Sequence, residues 1–284
     1  DSTFLVDGGW YGVNDPDNPP AEGAVADFVI EGAAGAESQE FDFDRVEIRF
    51  ATLDPGGVRA DGIRIPALRL VVRARIRRLI IRRSIVGPII VTREENPDDP
   101  SVVDELLVCE SIVDAGETAD HLAISNPFGT VVLEGSTILG DVAAAILEAS
   151  DSIVDGRVRV VNNQAGCFRF SASEPGEGVR LPPRYRDVFE PIARSTFNST
   201  RFGDPQYAQL SIVAPESISR GAENGSEMGV FSHLQTAIRL ESVRAKVNEF
   251  GPVGLLAQYL FEGEIEAGSL VRFGPPQPVP EPGV

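Results

Sequence analysis

Four stretches decide the fold: LIIRRSIVG (Leu79–Gly87), LLVCESIVD (Leu106–Asp114), VLEGSTILG (Val132–Gly140) and LEASDSIVD (Leu147–Asp155). Each opens on an apolar residue. Ser84, Ser111, Thr137 or Ser152 comes five positions later, followed by Ile85, Ile112, Ile138 or Ile153. A Val or Leu follows, then a turn residue, Gly87, Asp114, Gly140 or Asp155. A short self-similar unit of β-branched residues closed by a Gly or Asp turn predicts a stacked β architecture. One such unit cannot bury its inner face alone, so units stack and share a continuous core. The alternative is a β-sandwich whose strands resemble one another by chance. The hydroxyl residues lie 27, 26 and 15 positions apart. The first two spacings suit one full turn of a parallel β-helix. Fifteen is short for a turn and suggests a last copy on a different face of the same turn.

Outward from the repeats, Ala26–Ile30 and Asp44–Ala51 read as earlier strands, and VEIRF (Val46–Phe50) alternates apolar with charged as a half-buried strand does. Between Leu68 and Val91, Val72, Ala74 and Ile76 alternate with Arg73, Arg75 and Arg77. One reading is a patch for an anionic ligand. The favoured one is a solvated outer face whose arginines meet Glu94, Glu95, Asp98, Asp99, Asp104 and Glu105 of the next turn, since cross-strand opposite charges attract and no aromatics interleave. Asn162-Asn163 suits a turn with left-handed backbone. Ser173–Arg186 is proline-rich and predicts an arm wrapping the stack. Leu240, Val243, Val247 and Phe250 recur at 3, 4 and 3, which predicts a helix over 240–250. Gly254–Glu262 reads as a strand and Gly274–Val284 as polyproline-like. The division expected is 1–172 repeats, 173–272 arm and capping region, 273–284 proline-rich tail.

The net charge of −18 argues against nucleic-acid or anionic-membrane partners. Lys246 is the sole lysine, so arginine carries nearly all positive charge. No apolar run reaches the roughly 20 residues of a membrane span. The chain opens on Asp1 with neither Met nor a signal-peptide pattern and reads as a processed or excised piece. Cys109 and Cys167 do not make a disulfide framework and read as buried thiols.

LEASDSIVDG (Leu147–Gly156), QAGCFRFS (Gln164–Ser171), RLPPRYR (Arg180–Arg186), RFGDPQYAQLS (Arg201–Ser211), RGAENGSEMGVF (Arg220–Phe231) and RAKVNEF (Arg244–Phe250) resemble a family of uncharacterised bacterial β-helix proteins associated with gene clusters for phage-tail-like contractile particles. The resemblance covers roughly the C-terminal half. It implies an all-β protein: a right-handed parallel β-helix followed by a small mixed α/β capping region. It carries over no catalytic residues.

The residues themselves offer little chemistry. His121 and His233 are the only histidines, and no HExxH or CxxC supports a zinc site. Asp141, Glu148, Asp151 and Asp155 could stack as a glycosidase-like carboxylate pair, with Arg157 and Arg159 nearby. Glu223, Asn224, Ser226 and Glu227 could hold Ca²⁺ but read more simply as a polar turn capped by Arg220. No catalytic, cofactor-binding or metal residue is assigned, and no cofactor is expected. The function expected is a non-enzymatic structural or interaction component of a large bacterial assembly, extracellular or particle-associated, with other protein subunits as partners. The alternative is a carbohydrate-active β-helix, a lyase or tailspike-like hydrolase acting on polysaccharide.

Overall fold

The structure is a computed structural model, and it describes residues 2–13, 24–32, 41–58, 62–91, 102–116, 118, 120–185, 196–204, 206–211 and 213–250. The predicted strand at 254–262, the proline-rich tail and the acidic run at 94–99 lie outside the described residues.

The protein is mostly β-strand, in two parallel sheets, the larger of which curls as a half-barrel. The chain runs through three parallel ladders in rotation. Ladder one contains β1 (Thr3–Asp7), β4 (Phe43–Arg49), β9 (Arg75–Arg82) and β12 (Val102–Cys109). It continues through the second halves of β14 (Leu122–Glu134) and β16 (Asp141–Ser150), then β19 (Cys167–Arg169) and β21 (Arg184–Tyr185). Ladder two is short-stranded: β2 (Trp10–Tyr11), β5 (Thr52–Leu53), β10 (Ile85–Val86), β13 (Ile112–Asp114), β15 (Thr137–Leu139), β17 (Ile153–Val154) and β20 (Ala172–Ser173). Ladder three holds β3 (Val25–Glu31), β8 (Ala67–Arg73), β11 (Ile89–Val91), the first halves of β14 and β16, and β18 (Val158–Val160). An antiparallel hairpin, β6 (Gly57–Val58) and β7 (Arg64–Ile65), projects between ladders two and three.

All three ladders feed one core. Ile48, Ile81, Val108 and Leu133 from ladder one, Leu53, Val86, Val113 and Val154 from ladder two, and Leu70, Ile89, Ile124 and Val158 from ladder three are buried in a single cluster. The expected alternation holds: Val72, Ala74 and Ile76 are buried while Arg73 and Arg77 are exposed.

The register corrects the sequence alignment at the third repeat. Thr137 pairs with Ile112 and Ile153, so Ser136, not Thr137, stands beside Ser111 and Ser152. The fourth copy is also not on another face. Ile138 pairs with Val154, so this rung closes in fewer residues than its predecessors. It can do so because Gly140 alone separates β15 from β16, whereas residues 115–121 separate β13 from β14, and because β16 is three residues shorter than β14, which carries an extra register shift between Asn126 and Thr130.

Between ladders one and two the chain turns through one left-handed residue per rung. Phe50, Arg83, Glu110, Gly135, Asp151 and Phe170 all have φ between 46° and 52°. The bend turns the next N–H away from the neighbouring rung's carbonyls, so a side chain must accept it. Serine does so. The N–H groups of Ala51, Ser84, Ser111, Ser136 and Ser152 donate to the Oγ atoms of Ser84, Ser111, Ser136, Ser152 and Ser171 at 3.1–3.3 Å. Each hydroxyl donates in turn to the carbonyl two residues before it, at 2.7–3.0 Å. Asn162 and Asn163 are not left-handed. Asn162 instead accepts the Gln164 N–H at 3.1 Å, an Asx turn.

After Tyr185 the described chain resumes at 196 and packs on the outer side of ladder two. Phe197, Tyr207, Ala208, Ile218 and Met228 form a second core with Ile112, Leu139, Ile153 and Ala172. A short helix, α1 (Glu216–Ser219), lies in this arm. The predicted helix is present as α2 (Thr236–Phe250). Of its expected apolar face, Val243 is 48% and Phe250 77% exposed, and Val247 is half-buried.

Candidate functional site

Ladder two has a second corner, at its exit toward ladder three. Extending the register by one residue places Asp54, Gly87, Asp114, Leu139, Asp155 and Glu174 in one column. Asp54 is held by the Gly56 N–H at 2.8 Å and the Trp10 Nε1–H at 3.2 Å. Asp114 accepts the Gly116 N–H at 2.7 Å and the Tyr207 hydroxyl at 2.6 Å. Burial pushes the Asp114 carboxyl up to about 6, although Tyr207, Gly116 and the charge of His121 pull the other way. Asp155 is also pushed up to about 6, mainly by burial. His121 opposes the shift, and Glu174 and Asp114 add to it. Burial and the neighbouring Asp114 raise the Tyr207 phenol well above its ordinary value.

Aromatic rings cover this column from the arm. Trp10 meets Phe202 edge to face at 6.0 Å, and Phe202 meets Tyr207 at 5.5 Å. Successive rungs lie about 4.8 Å apart, so carboxylates two rungs apart are separated by roughly 9.6 Å. That is at the far edge of the spacing of about 6.5–9.5 Å used by inverting glycosidases. The corner can hold a proton near neutral pH. Asp114 is sealed beneath Tyr207, whereas Trp10 is 67% exposed.

Two open features lie elsewhere. A cleft of about 260 Å³ sits beside the left-handed corner, where Glu110, Gly135 and Asp151 meet Asn224, Ser232 and His233 of the arm, with Cys109 and Glu134 in its wall. Burial and the carboxylates of Glu134 and Glu110 raise the Cys109 thiol, which disfavours the thiolate there. On ladder one a groove of about 520 Å³ runs past Arg45, Arg77, Arg78, Glu105 and Glu148. Its arginines already have partners: Arg78 with Glu105 at 2.7 Å, Arg45 with Glu47 at 2.6 Å and Arg77 with Asp44 at 3.5 Å.

The four carboxylates singled out in the repeats diverge. Asp141 is buried and accepts the backbone N–H and guanidinium of Arg157, with Arg159 at 3.5 Å. Glu148 lines the ladder-one groove. Asp151 accepts the Glu223 N–H at 2.7 Å and so anchors the arm. Only Asp155 joins the acidic corner. Of the residues read as a Ca²⁺ site or polar turn, Glu223 pairs with Arg169, Asn224 accepts the N–H and hydroxyl of Ser226, and Arg220 lies 3.8 Å from Glu216. Among the described residues no three His, Cys, Asp or Glu side chains converge as a metal site, and no helix is long and apolar enough to cross a membrane.

Sequence reasoning missed the pairing of Asp114 with Tyr207. Its one local signal was DPQY (Asp204–Tyr207), a turn that presents an aromatic. No protein-family model, curated protein or solved structure matches the chain.

Proposed function

We propose that the chain is a parallel β-helix, right-handed by the general rule for parallel crossovers, and that it serves as a non-enzymatic structural component of a large bacterial assembly, phage-tail-like or extracellular. The carrying observation is where its charges go. Outward arginines are answered by carboxylates of a neighbouring rung: Arg49 by Asp7, Arg69 by Asp27, Arg78 by Glu105, Arg83 by Glu110 and Arg157 by Asp141. The buried carboxylates likewise hold the arm and corners in place. Side chains committed in this way stiffen the stack. Partners are then other subunits of the assembly. The test is sedimentation of native lysate with the protein followed by antibody and the pellet viewed by negative-stain microscopy. The expected outcome is co-migration with large particles. Recovery in the light fractions alone refutes the assembly role.

One observation favours a second reading, a carbohydrate-active β-helix. Trp10 is exposed, with its indole N–H fixed by Asp54 and carboxylates two rungs apart below. An apolar ring over an oriented carboxylate suits a sugar face. A glycan array with a reducing-sugar assay tests it: binding and turnover lost together in Trp10→Ala and Asp54→Asn support it, and no binding to any glycan rejects it.

A further inference from the structure

One pair of neighbouring residues in the arm has a covalent chemistry of its own. Asn224-Gly225 is the only Asn-Gly step in the sequence. The backbone nitrogen after an Asn can attack that residue's carboxamide, and glycine, with no Cβ, hinders the approach least. Both residues are exposed, and the space beside the Gly225 Cα is open. Sterically nothing blocks the reaction, and hydrogen bonds hold it back instead.

Both reacting groups are tied down. The electrophile is the Asn224 carboxamide carbon. Its Oδ1 accepts the Ser226 N–H at 2.9 Å and the Ser226 hydroxyl at 2.6 Å, an Asx turn. The nucleophile is the Gly225 nitrogen, whose N–H is donated to the Ala222 carbonyl at 2.9 Å. The Ala222 N–H donates to the Ser226 carbonyl at 3.0 Å and closes the turn. The carboxamide reaches the nitrogen only when these bonds break. Asp151 fastens the turn to the ladders on either side: its carboxylate accepts the Glu223 N–H at 2.7 Å, and its carbonyl accepts the Gly229 N–H at 2.7 Å. Arg169 adds a pair with Glu223 at 3.1 Å. A turn held in this way opens with the segment that carries it.

We propose that Asn224-Gly225 is a latent self-modification site, kept unreactive while the arm is docked and released when this turn lifts from Asp151. The Gly225 nitrogen then bonds to the Asn224 carboxamide carbon, and the bond from that carbon to Nδ2 breaks. The proton of the Gly225 nitrogen passes through solvent to the leaving group, which departs as ammonia. Water opens the resulting cyclic imide at either carbonyl and leaves aspartate or isoaspartate at 224. Either product adds a carboxylate to the cleft that Asn224 shares with Glu110, Glu134 and Asp151. Isoaspartate also lengthens the main chain by a methylene, so the closure from Ala222 to Ser226 is lost. Both changes oppose reseating, and the ammonia is gone, so the modification records that the arm has opened.

Peptide mapping of the purified full chain during incubation at neutral pH tests it, with isoaspartyl methyltransferase labelling to separate the two products. Native wild type is compared with the same chain unfolded in guanidinium and with native Asp151→Gly. Glycine suits the left-handed corner, as Gly135 does one rung earlier, so the variant removes the carboxylate without straining the backbone. The unfolded chain is expected to convert fastest. Native wild type should be about tenfold slower or more, which corresponds to an opening that costs about 1.4 kcal/mol or more. Asp151→Gly should convert about fivefold faster than native wild type or more, because loss of the charge-assisted bond populates the open arm. A measurement on wild type alone makes the same test: below its unfolding transition, added urea should speed conversion in step with amide exchange at Glu223 and Gly225. Native wild type converting as fast as the unfolded chain overturns the proposal. So does a folded Asp151→Gly that converts no faster than wild type, or a conversion rate that stays fixed while those amides exchange faster.

Discussion

Ser171 and Ser173 sit two residues apart in the same rung, both fully buried, and the same substitution is expected to act on them with opposite sign. The Ser171 hydroxyl accepts the Ser152 N–H at 3.1 Å and donates to the Arg169 carbonyl at 2.8 Å. Ser152 follows the left-handed Asp151, so its N–H depends on that oxygen. Ser171→Ala leaves a buried donor unpaired, which costs about 1–3 kcal/mol. Ser173 points into the core, in the column of Leu53, Val86, Val113, Ile138 and Val154, and its Oγ has no partner. Ser173→Ala removes an unpaired hydroxyl from an apolar wall and is expected to stabilise by up to about 1–3 kcal/mol. In a protein of this size each kcal/mol moves Tm by roughly 2–4 °C. Urea unfolding monitored by circular dichroism reads both, with the midpoint moving and the slope unchanged. If both variants shift the midpoint in the same direction, or Ser171→Ala leaves it in place, the serine corner does not carry the hydrogen-bond role assigned to it.

Three further outcomes follow from the acidic corner and the cleft. Asp155 has its folded value raised from 3.8 to about 6, so the folded state holds the extra proton. That contribution is complete below about pH 4 and is lost as pH rises through 6. Asp155→Asn should flatten stability between pH 4 and 7 and raise it at pH 7 by up to about 3 kcal/mol, taking 1.36 kcal/mol per unit; an unchanged pH profile contradicts the burial argument. Tyr207→Phe deletes the donor to Asp114 and should loosen the arm by about 1–3 kcal/mol, seen as faster amide exchange over 196–211 with the ladders unaffected. Cys109 should react slowly with a thiol reagent at pH 7 and speed up only above its ordinary range, since burial and Glu134 disfavour the thiolate; fast reaction at pH 7 refutes this.

The repeats were legible because each rung spends the same residues on the same problem. The Ser-Ile-Val core of each unit combines a corner hydroxyl, an outward residue and an inward residue. The misplacement at Thr137 arose because Ser136 and Thr137 both carry hydroxyls, and the corner residue before them, Gly135, has no side chain to mark it. Three further rungs escaped notice. Val46–Leu53 and Phe168–Ser173 have the same geometry, with Ala51 or Ser171 at the corner, and Leu5–Tyr11 occupies the same ladders with left-handed Gly8 and Gly9 at its corner, but only one of the three keeps the serine. The stretch read as a wrapping arm, Ser173–Arg186, instead supplies Ser173, Arg180 and Arg184–Tyr185 to the ladders, and the docking of the segment from 196 onward could not be read, because Tyr207 and Asp114 are 93 residues apart and no local pattern links them. Periodicity found α2 and said nothing of what its apolar side faces. That is general: the 3.6-residue period identifies a helix but not its partner.

The two-residue strands of ladder two carry a requirement that the periodicity leaves implicit. In Ile85-Val86, Ile112-Val113 and Ile153-Val154 the valine faces the core, so the isoleucine must face outward, and strands apolar on both faces need cover on both. The arm supplies it, with Phe197, Tyr207, Ile218 and Met228 over Ile112, Leu139 and Ile153. Fully burying side chains of this kind is worth about 1.5–3 kcal/mol each. Exposing Ile112, Leu139 and Ile153 therefore forfeits roughly 5–9 kcal/mol, comparable with the whole stability of a typical domain, about 5–15 kcal/mol. A chain ended after Tyr185 should bind a hydrophobic dye, aggregate on concentration and unfold at a much lower urea midpoint than the full chain. Replacing Ile85, Ile112 and Ile153 by Thr in that shortened chain should restore solubility, because threonine keeps the β-branched shape while presenting a hydroxyl to water. A shortened chain that stays monomeric, dye-silent and as stable as the full chain would show that the outer face of ladder two needs no cover.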